Sequence, residues 1–195
     1  MMISFTCRAD LMFIDKRAFR FVELLEAAWK EVRAEGLALP PTSFEPWVQR
    51  EMYGEGWSVY GLIAFGERIE PALISCPRTA SLLAHVPGLT TAGFSRMAPG
   101  THIKPHVGWV RTVYRLHLGL VVPTDCGLRV GSETRSWRDG ECLIFDDTIE
   151  HEAWNRSGKS RLIFLLDFLR PGTSDRSTDV PPREVQEMIR RRSGR

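Results

Sequence analysis

No apolar run in this 195-residue sequence reaches the roughly 18 residues that a membrane-crossing helix needs, so no helical membrane span is expected. Neither sign of charge dominates. Lys and Arg number 26 against 24 Asp and Glu, a net +2, and a nucleic-acid binder would carry a strong basic excess. Cysteine is sparse: Cys7, Cys76, Cys126 and Cys142 form no C-x-x-C pair. That spacing argues against a disulfide framework and leaves small buried hydrophobes. The first ten residues lack an apolar stretch behind a basic start, since Arg8 and Asp10 come too early. No secretory leader is therefore expected, and the cytosol is the expected compartment. No H-E-x-x-H pair occurs, which disfavours a zinc hydrolase. No internal repeat is visible.

What remains is ordinary globular composition, 43% hydrophobic and 26% charged, at a length that suits one domain. From Asp15 to Glu35 the spacing predicts a helix. Asp15 can cap it, and Ala18, Phe21, Val22, Leu25, Ala28, Trp29 and Val32 recur at helical intervals. Gly36 reads as its stop, with Pro40-Pro41 preventing continuation. The middle of the chain is punctuated by turn signals such as Ala98-Pro99-Gly100 and Arg138-Asp139-Gly140. Between them lie short runs rich in Val, Leu, Ile, Phe and Trp. A helix followed by many short strands predicts an antiparallel barrel or jelly roll with a helix packed outside.

Two strands stand out. From Val113 to Val122, alternation puts Arg115, His117 and Gly119 on one face and Leu116, Leu118 and Leu120 on the other. The polar face either meets water or lines a polar cavity. From Ser160 to Phe168, Arg161 and Asp167 share a face with Ile163 and Leu165, and such charges on an apolar strand need partners or water. After Pro171 the character changes. Gly172 to Asp179 reads as a linker, and from Arg170 onward seven arginines face four acids, a local +3. Residues 172–195 are accordingly expected to form an Arg-rich, solvated tail, with Val185, Met188 and Ile189 along one side of a short amphipathic stretch, a docking helix or an anionic contact being the alternatives.

Only five histidines occur. His106 follows a turn, and His151 sits in the run from Phe145 to Trp154. Two neutral imidazoles from separate strands can converge on Fe, Zn, Cu or Ni. Arg161, ten residues past His151, could hold a dicarboxylate two-pronged beside such a metal. Arg115 and His117 add a second anion-binding group and a donor, and Ser95 lies on a nearby short strand.

With those residues in view, the run Phe94-Ser-Arg-Met-Ala-Pro-Gly-Thr-His-Ile-Lys-Pro-His106-Val-Gly resembles the first metal-ligand motif of the aspartyl/asparaginyl β-hydroxylases. Arg115-Leu-His117, Arg135-Ser-Trp137, the His151 run and Arg161-Leu-Ile-Phe follow in that family's order. The resemblance covers Phe44 to Pro171, within a single oxygenase domain of residues 1–171.

The resemblance implies a mainly β, double-stranded β-helix (jelly-roll, cupin-like) oxygenase using iron(II), 2-oxoglutarate and O2. His106 and His151 would be the metal ligands. The broad oxygenase class places a carboxylate two residues after the first histidine. Here that position is Gly108, as in the narrower family, with Asp147 as a candidate to hold a metal-bound water. Ser95 and Arg161 would take the distal carboxylate of 2-oxoglutarate, and Arg115 and His117 its metal-bound end. Arg96, Trp109 and Arg111 are candidates for the substrate mouth. The implied reaction is β-hydroxylation of an aspartyl or asparaginyl unit, whether free, carrier-tethered or in a peptide, with release of succinate and CO2. The alternatives are a lipid acyl-chain hydroxylase of the same family and a non-catalytic cupin-like binder of an acidic ligand.

Overall fold

Period-2 runs bounded by Gly, Pro and Asp turns become strands throughout the computed structural model, which describes residues 12–173 and 180–193. The strands are β1 (Phe13–Ile14), β2 (Glu45–Pro46), β3 (Trp57–Ala64), β4 (Glu67–Arg68), β5 (Leu89–Met97) and β6 (His102–His106). They continue as β7 (Val113–Val121), β8 (Cys126–Val130), β9 (Glu133–Arg135), β10 (Cys142–Phe145), β11 (His151–Asn155) and β12 (Arg161–Leu169). The helices are α1 (Phe21–Ala27), α2 (Trp29–Ala38), α3 (Glu70–Ser75), α4 (Pro77–Leu83) and α5 (Arg183–Ser193).

The larger sheet has the order β1-β10-β7-β12-β5-β3-β2, with β4 attached to β3, and the smaller is β6-β11-β8-β9. Neighbouring strands are antiparallel. From β5 to β8, and again from β10 to β12, the chain changes sheet at every strand. This is a double-stranded β-helix. Its two sheets share a core of Met97, Phe145 and Ile163 from one and Ile103, Leu128 and Val130 from the other.

The alternation along β7 now has a physical meaning. Leu116, Leu118 and Leu120 pack outward with Phe21, Val22, Leu25 and Val32 of α1 and α2, beneath the helical layer. Arg115 and His117 face the opposite way, into the space between the sheets. The polar face of β7 therefore lines an interior.

The N-terminal helix differs from the expected continuous Asp15–Glu35 segment. Asp15 caps only a 3-10 turn at Lys16–Ala18, accepting from the Arg17 amide at 3.1 Å. The helix proper breaks at Ala28, with φ −95° and ψ 9°, and Trp29 then lies against the Gly140 turn. Gly36 does not stop the helix either. It is buried inside α2, where a Cβ would meet the Phe94 ring at 2.6 Å, so packing rather than termination demands glycine there. The helix ends at Ala38, and Leu39, preceding Pro40, is extended.

The tail is also different. Residues 183–193, expected to be solvated, form α5, whose Val185 and Ile189 are buried. Most of the linker-like stretch, 174–179, lies outside the described residues, as do Cys7 and the N-terminal ten residues. Cys76, Cys126 and Cys142 are free and buried. Among the described residues, no helix is long and apolar enough to cross a membrane.

Candidate active site

Strands β6 and β11 are neighbours in the smaller sheet, and their register sets His106 directly opposite His151. The ring centroids are 4.1 Å apart. Each imidazole has its Nδ1 at 2.8 Å from a main-chain carbonyl two residues back, Lys104 for His106 and Ile149 for His151. A carbonyl only accepts, so Nδ1 carries the proton and Nε2 presents a lone pair. Burial pushes the His106 pKa down to about 4, with His151 reinforcing the shift, and keeps His106 neutral near pH 7. This backbone-anchored tautomer is the form that ligates metals.

Asp147 completes the cluster. Its Oδ1 lies 3.2 Å from His151 Nε2 and accepts from Arg115 Nη1 at 2.7 Å. With a neutral imidazole the first contact would set two acceptor atoms face to face, an arrangement that needs a proton or a cation to bind it together. Burial by itself would raise the Asp147 pKa, but Arg115 foremost, then His151, outweighs it and holds the carboxyl well below its ordinary value. Arg115 also donates through Nε and Nη2 to both oxygens of Asp167, at 2.8 and 2.9 Å. Burial pushes the Asp167 pKa up in spite of Arg115. Two carboxylates thus share one guanidinium beside two lone-pair nitrogens, a setting that favours a divalent cation.

Gly108 explains how Asp147 reaches this place. A Cβ at position 108 would overlap the Asp147 carboxylate, and the Gly108 amide donates to the Asp147 carbonyl at 2.7 Å. The absent side chain and the carboxylate occupy the same space. Among the described residues, no three or more His, Cys, Asp or Glu side chains are arranged to hold a metal. The lone-pair donors brought together here are accordingly the two imidazoles, with Asp147 alongside.

The larger sheet supplies the other half. Arg161 begins β12, only 1% exposed, with its Nη2 donating to Ser95 Oγ at 3.2 Å. Its guanidinium lies 4.7 Å from the Trp137 ring centroid, and its Nε has no hydrogen-bond partner among the described residues. Burial lowers its pKa to about 10. A buried cation of this kind is costly unless an anion joins it. His117, paired across from Leu165, accepts at Nδ1 from Trp137 Nε1 at 3.3 Å, while its own buried Nε2 has no partner among the described residues. Burial, then Arg115 and Arg161, holds His117 neutral. With Nδ1 accepting, the proton sits on Nε2, a second unpaired donor.

Ser95, His106, Arg115, Asp147 and Asp167 line a cleft of about 1180 Å³ including its mouth. Arg161 and His117 are not among the lining residues. One wall is a band of rings. Phe65 stacks with Trp109 and Trp109 with Trp47, each at 6.4 Å, Trp47 meets Trp57 at 5.5 Å, and Trp57 Nε1 donates to Ser95 Oγ at 3.0 Å. Of the three mouth candidates, the structure brings Trp109 into this cleft. Arg96 packs over the Phe44 ring at 3.8 Å and Arg111 is exposed, neither lining it. Trp137, Asp167 and Trp57 had no assigned role from sequence. Asp167 sharing a strand face with Arg161 was a signal, but its partner across the ladder was not legible.

A family model described as aspartyl/asparaginyl beta-hydroxylase matches residues 26–171, reaching upstream of the motifs that begin at Phe44. Human aspartyl/asparaginyl beta-hydroxylase is 39% identical over 159 residues, covering 77% of this chain and 21% of that protein. The ornithine lipid ester-linked acyl 2-hydroxylase of Rhizobium tropici is 42% identical over 118 residues, covering 59% of this chain and 42% of the relative. The chain therefore matches less than half the length of either relative. A solved prolyl-4-hydroxylase from Pseudomonas putida aligns at TM-score 0.48 and 18% identity, over 77% of this chain and 88% of its own.

Proposed function

The chain belongs to the aspartyl/asparaginyl β-hydroxylase family, and on that premise we propose that it is an iron(II)- and 2-oxoglutarate-dependent hydroxylase. The observation that carries this reading is the fully buried Arg161, a cation whose Nε is unpaired beside an unpaired His117 Nε2–H. A dicarboxylate would satisfy both donors. Ser95 Oγ, which accepts from Arg161 and Trp57, keeps its own proton free to donate to the same anion.

His106 and His151 would hold the iron, with Asp147 positioned to accept from a water on it. When bound, the iron supplies the oxygen chemistry in which R–H, O2 and 2-oxoglutarate become R–OH, succinate and CO2. The residues themselves do three things. The Lys104 and Ile149 carbonyls fix both imidazole tautomers. Arg115, committed to Asp147 and Asp167, positions the Asp147 carboxylate. Arg161 sets which end of the dicarboxylate faces inward.

For the substrate, the cleft lining favours an acyl chain, the class named for the Rhizobium relative, over an aspartyl or asparaginyl unit. Trp47, Val59, Ile63, Phe65 and Trp109 line it, while Arg96 and Arg111 do not. Among the described residues that line it, the arginine is Arg115, already paired with Asp147 and Asp167 and so not free for an acidic side chain.

The test is anaerobic addition of iron(II) and 2-oxoglutarate to purified protein, followed by admission of air. A visible absorption band and succinate release are expected. Retention of both by His106→Ala would overturn the assignment, and their absence from the unaltered protein would favour a non-catalytic binder.

A further inference from the structure

Helix α5 lies outside the residues matched by the family, yet it reaches the family's cleft. Val185, Met188 and Ile189 line the same cavity as His106, Asp147 and the Trp109 ring. Val185 is fully buried and Ile189 9% exposed. The intervals of three and four residues put all three on one helix face, while Arg183 and Glu187 pair on the exposed side at 2.9 Å. An isolated helix of 11 residues is marginal in water, so α5 owes its helicity to this docking. The helix therefore forms as part of the cleft, and its inner face adds apolar surface to a lining that also holds the aromatic band.

We propose that α5 is the substrate-selecting wall of the cleft, and that Val185, Met188 and Ile189 hold the unbranched hydrocarbon of an acyl-bearing substrate against the Trp47–Trp109–Phe65 band. This rests on the acyl-chain reading of the site. It adds that the selecting surface comes from outside the residues matched by the family, through a segment whose sequence reads as a tail. Met188 is the residue to alter, because it lines the cavity yet remains partly exposed, so its size is adjustable with little loss of burial.

The experiment uses the full chain and a neutral probe, dodecanol, with hexanol for comparison, so that the Arg161 anion site is not engaged. Binding is read by intrinsic tryptophan fluorescence, since Trp47, Trp57 and Trp109 line the cleft. Met188→Trp is expected to weaken dodecanol at least tenfold and hexanol much less, and Met188→Ala to widen the preference for the longer alcohol. Removal of residues 180–195 is expected to weaken dodecanol at least tenfold. Equal affinities in all variants would overturn the proposal. Tighter dodecanol binding by the shortened chain would also overturn it, by making α5 a plug. Succinate formation without added substrate, measured in parallel, reports on the hydroxylase reading separately. Its presence alongside unchanged dodecanol affinities would sink the α5 proposal alone.

Discussion

Trp137 Nε1 donates to His117 Nδ1 at 3.3 Å, and this one bond decides which imidazole nitrogen keeps the proton. An indole N–H can only donate, so His117 must accept at Nδ1 and carry its proton on Nε2. The same Trp137 ring lies under the Arg161 guanidinium at 4.7 Å. One buried side chain thus orients both unpaired donors of the anion site.

Trp137→Phe keeps most of the ring but frees the tautomer. The 2-oxoglutarate affinity is expected to fall about tenfold, roughly the ~1.4 kcal/mol of one oriented hydrogen bond, while stability drops by about 1–3 kcal/mol from the lost bond and volume. Titration of 2-oxoglutarate monitored by calorimetry, with thermal unfolding alongside, checks both. An unchanged affinity would show that Trp137 serves packing only.

Arg161→Met should separate activity from stability. The guanidinium is buried without a carboxylate partner among the described residues, so replacing it with an apolar side chain of similar length removes a desolvation cost as well as a hydrogen bond to Ser95. Succinate formation is expected to fall at least a hundredfold, with unfolding free energy within about 1 kcal/mol of the parent or above it. A large loss of stability would mean that Arg161 is a structural cation.

Gly108 and Asp147 compete for one volume. Gly108→Ala is expected to destabilise by about 1–3 kcal/mol through overpacking. Adding Asp147→Ala should recover much of that loss, because the second change empties the contested space. Urea unfolding of the two single variants and the pair measures the coupling. Strict additivity would contradict the overlap.

Asp146 braces the loop that carries Asp147 and His151. It accepts from Arg170 Nη1 at 2.8 Å and Nη2 at 2.5 Å, and from the Thr148 amide and hydroxyl at 2.9 and 2.7 Å. Burial would raise its pKa, but the Arg170 bonds first, and then Thr148, bring it below the ordinary value. A depressed carboxylate contributes stability above its unfolded pKa, near 3.9, and loses that contribution as the pH falls through the folded value. Asp146→Asn should therefore lower the melting temperature at pH 7, equivalent to about 1–3 kcal/mol. Below about pH 4 its curve should approach that of the parent. Parallel curves from pH 7 to pH 3 would rule out the ion pair as the cause.

The jelly roll was legible because period-2 alternation and turn residues are local properties that the sheet does not override. So was the clustering of Arg115, His117 and Arg161 on strand faces, since a polar set on an otherwise apolar strand marks an interior. Local signals misled at Gly36 and at Ala28. Glycine in a sequence looks the same whether it ends a helix or makes room for Phe94, and only the partner surface tells them apart.

By itself, then, the sequence determined the strands, the two histidines and the buried arginine, because each is a matter of residue type, order and period. Tertiary structure decided the rest. The β6–β11 register brought His106 opposite His151, the missing Cβ of Gly108 admitted Asp147, and Trp137 set the His117 tautomer. The Arg-rich tail changed most, since composition reports charge while burial depends on a matching surface. Val185 and Ile189 found that surface on a cleft whose walls lie far away along the chain.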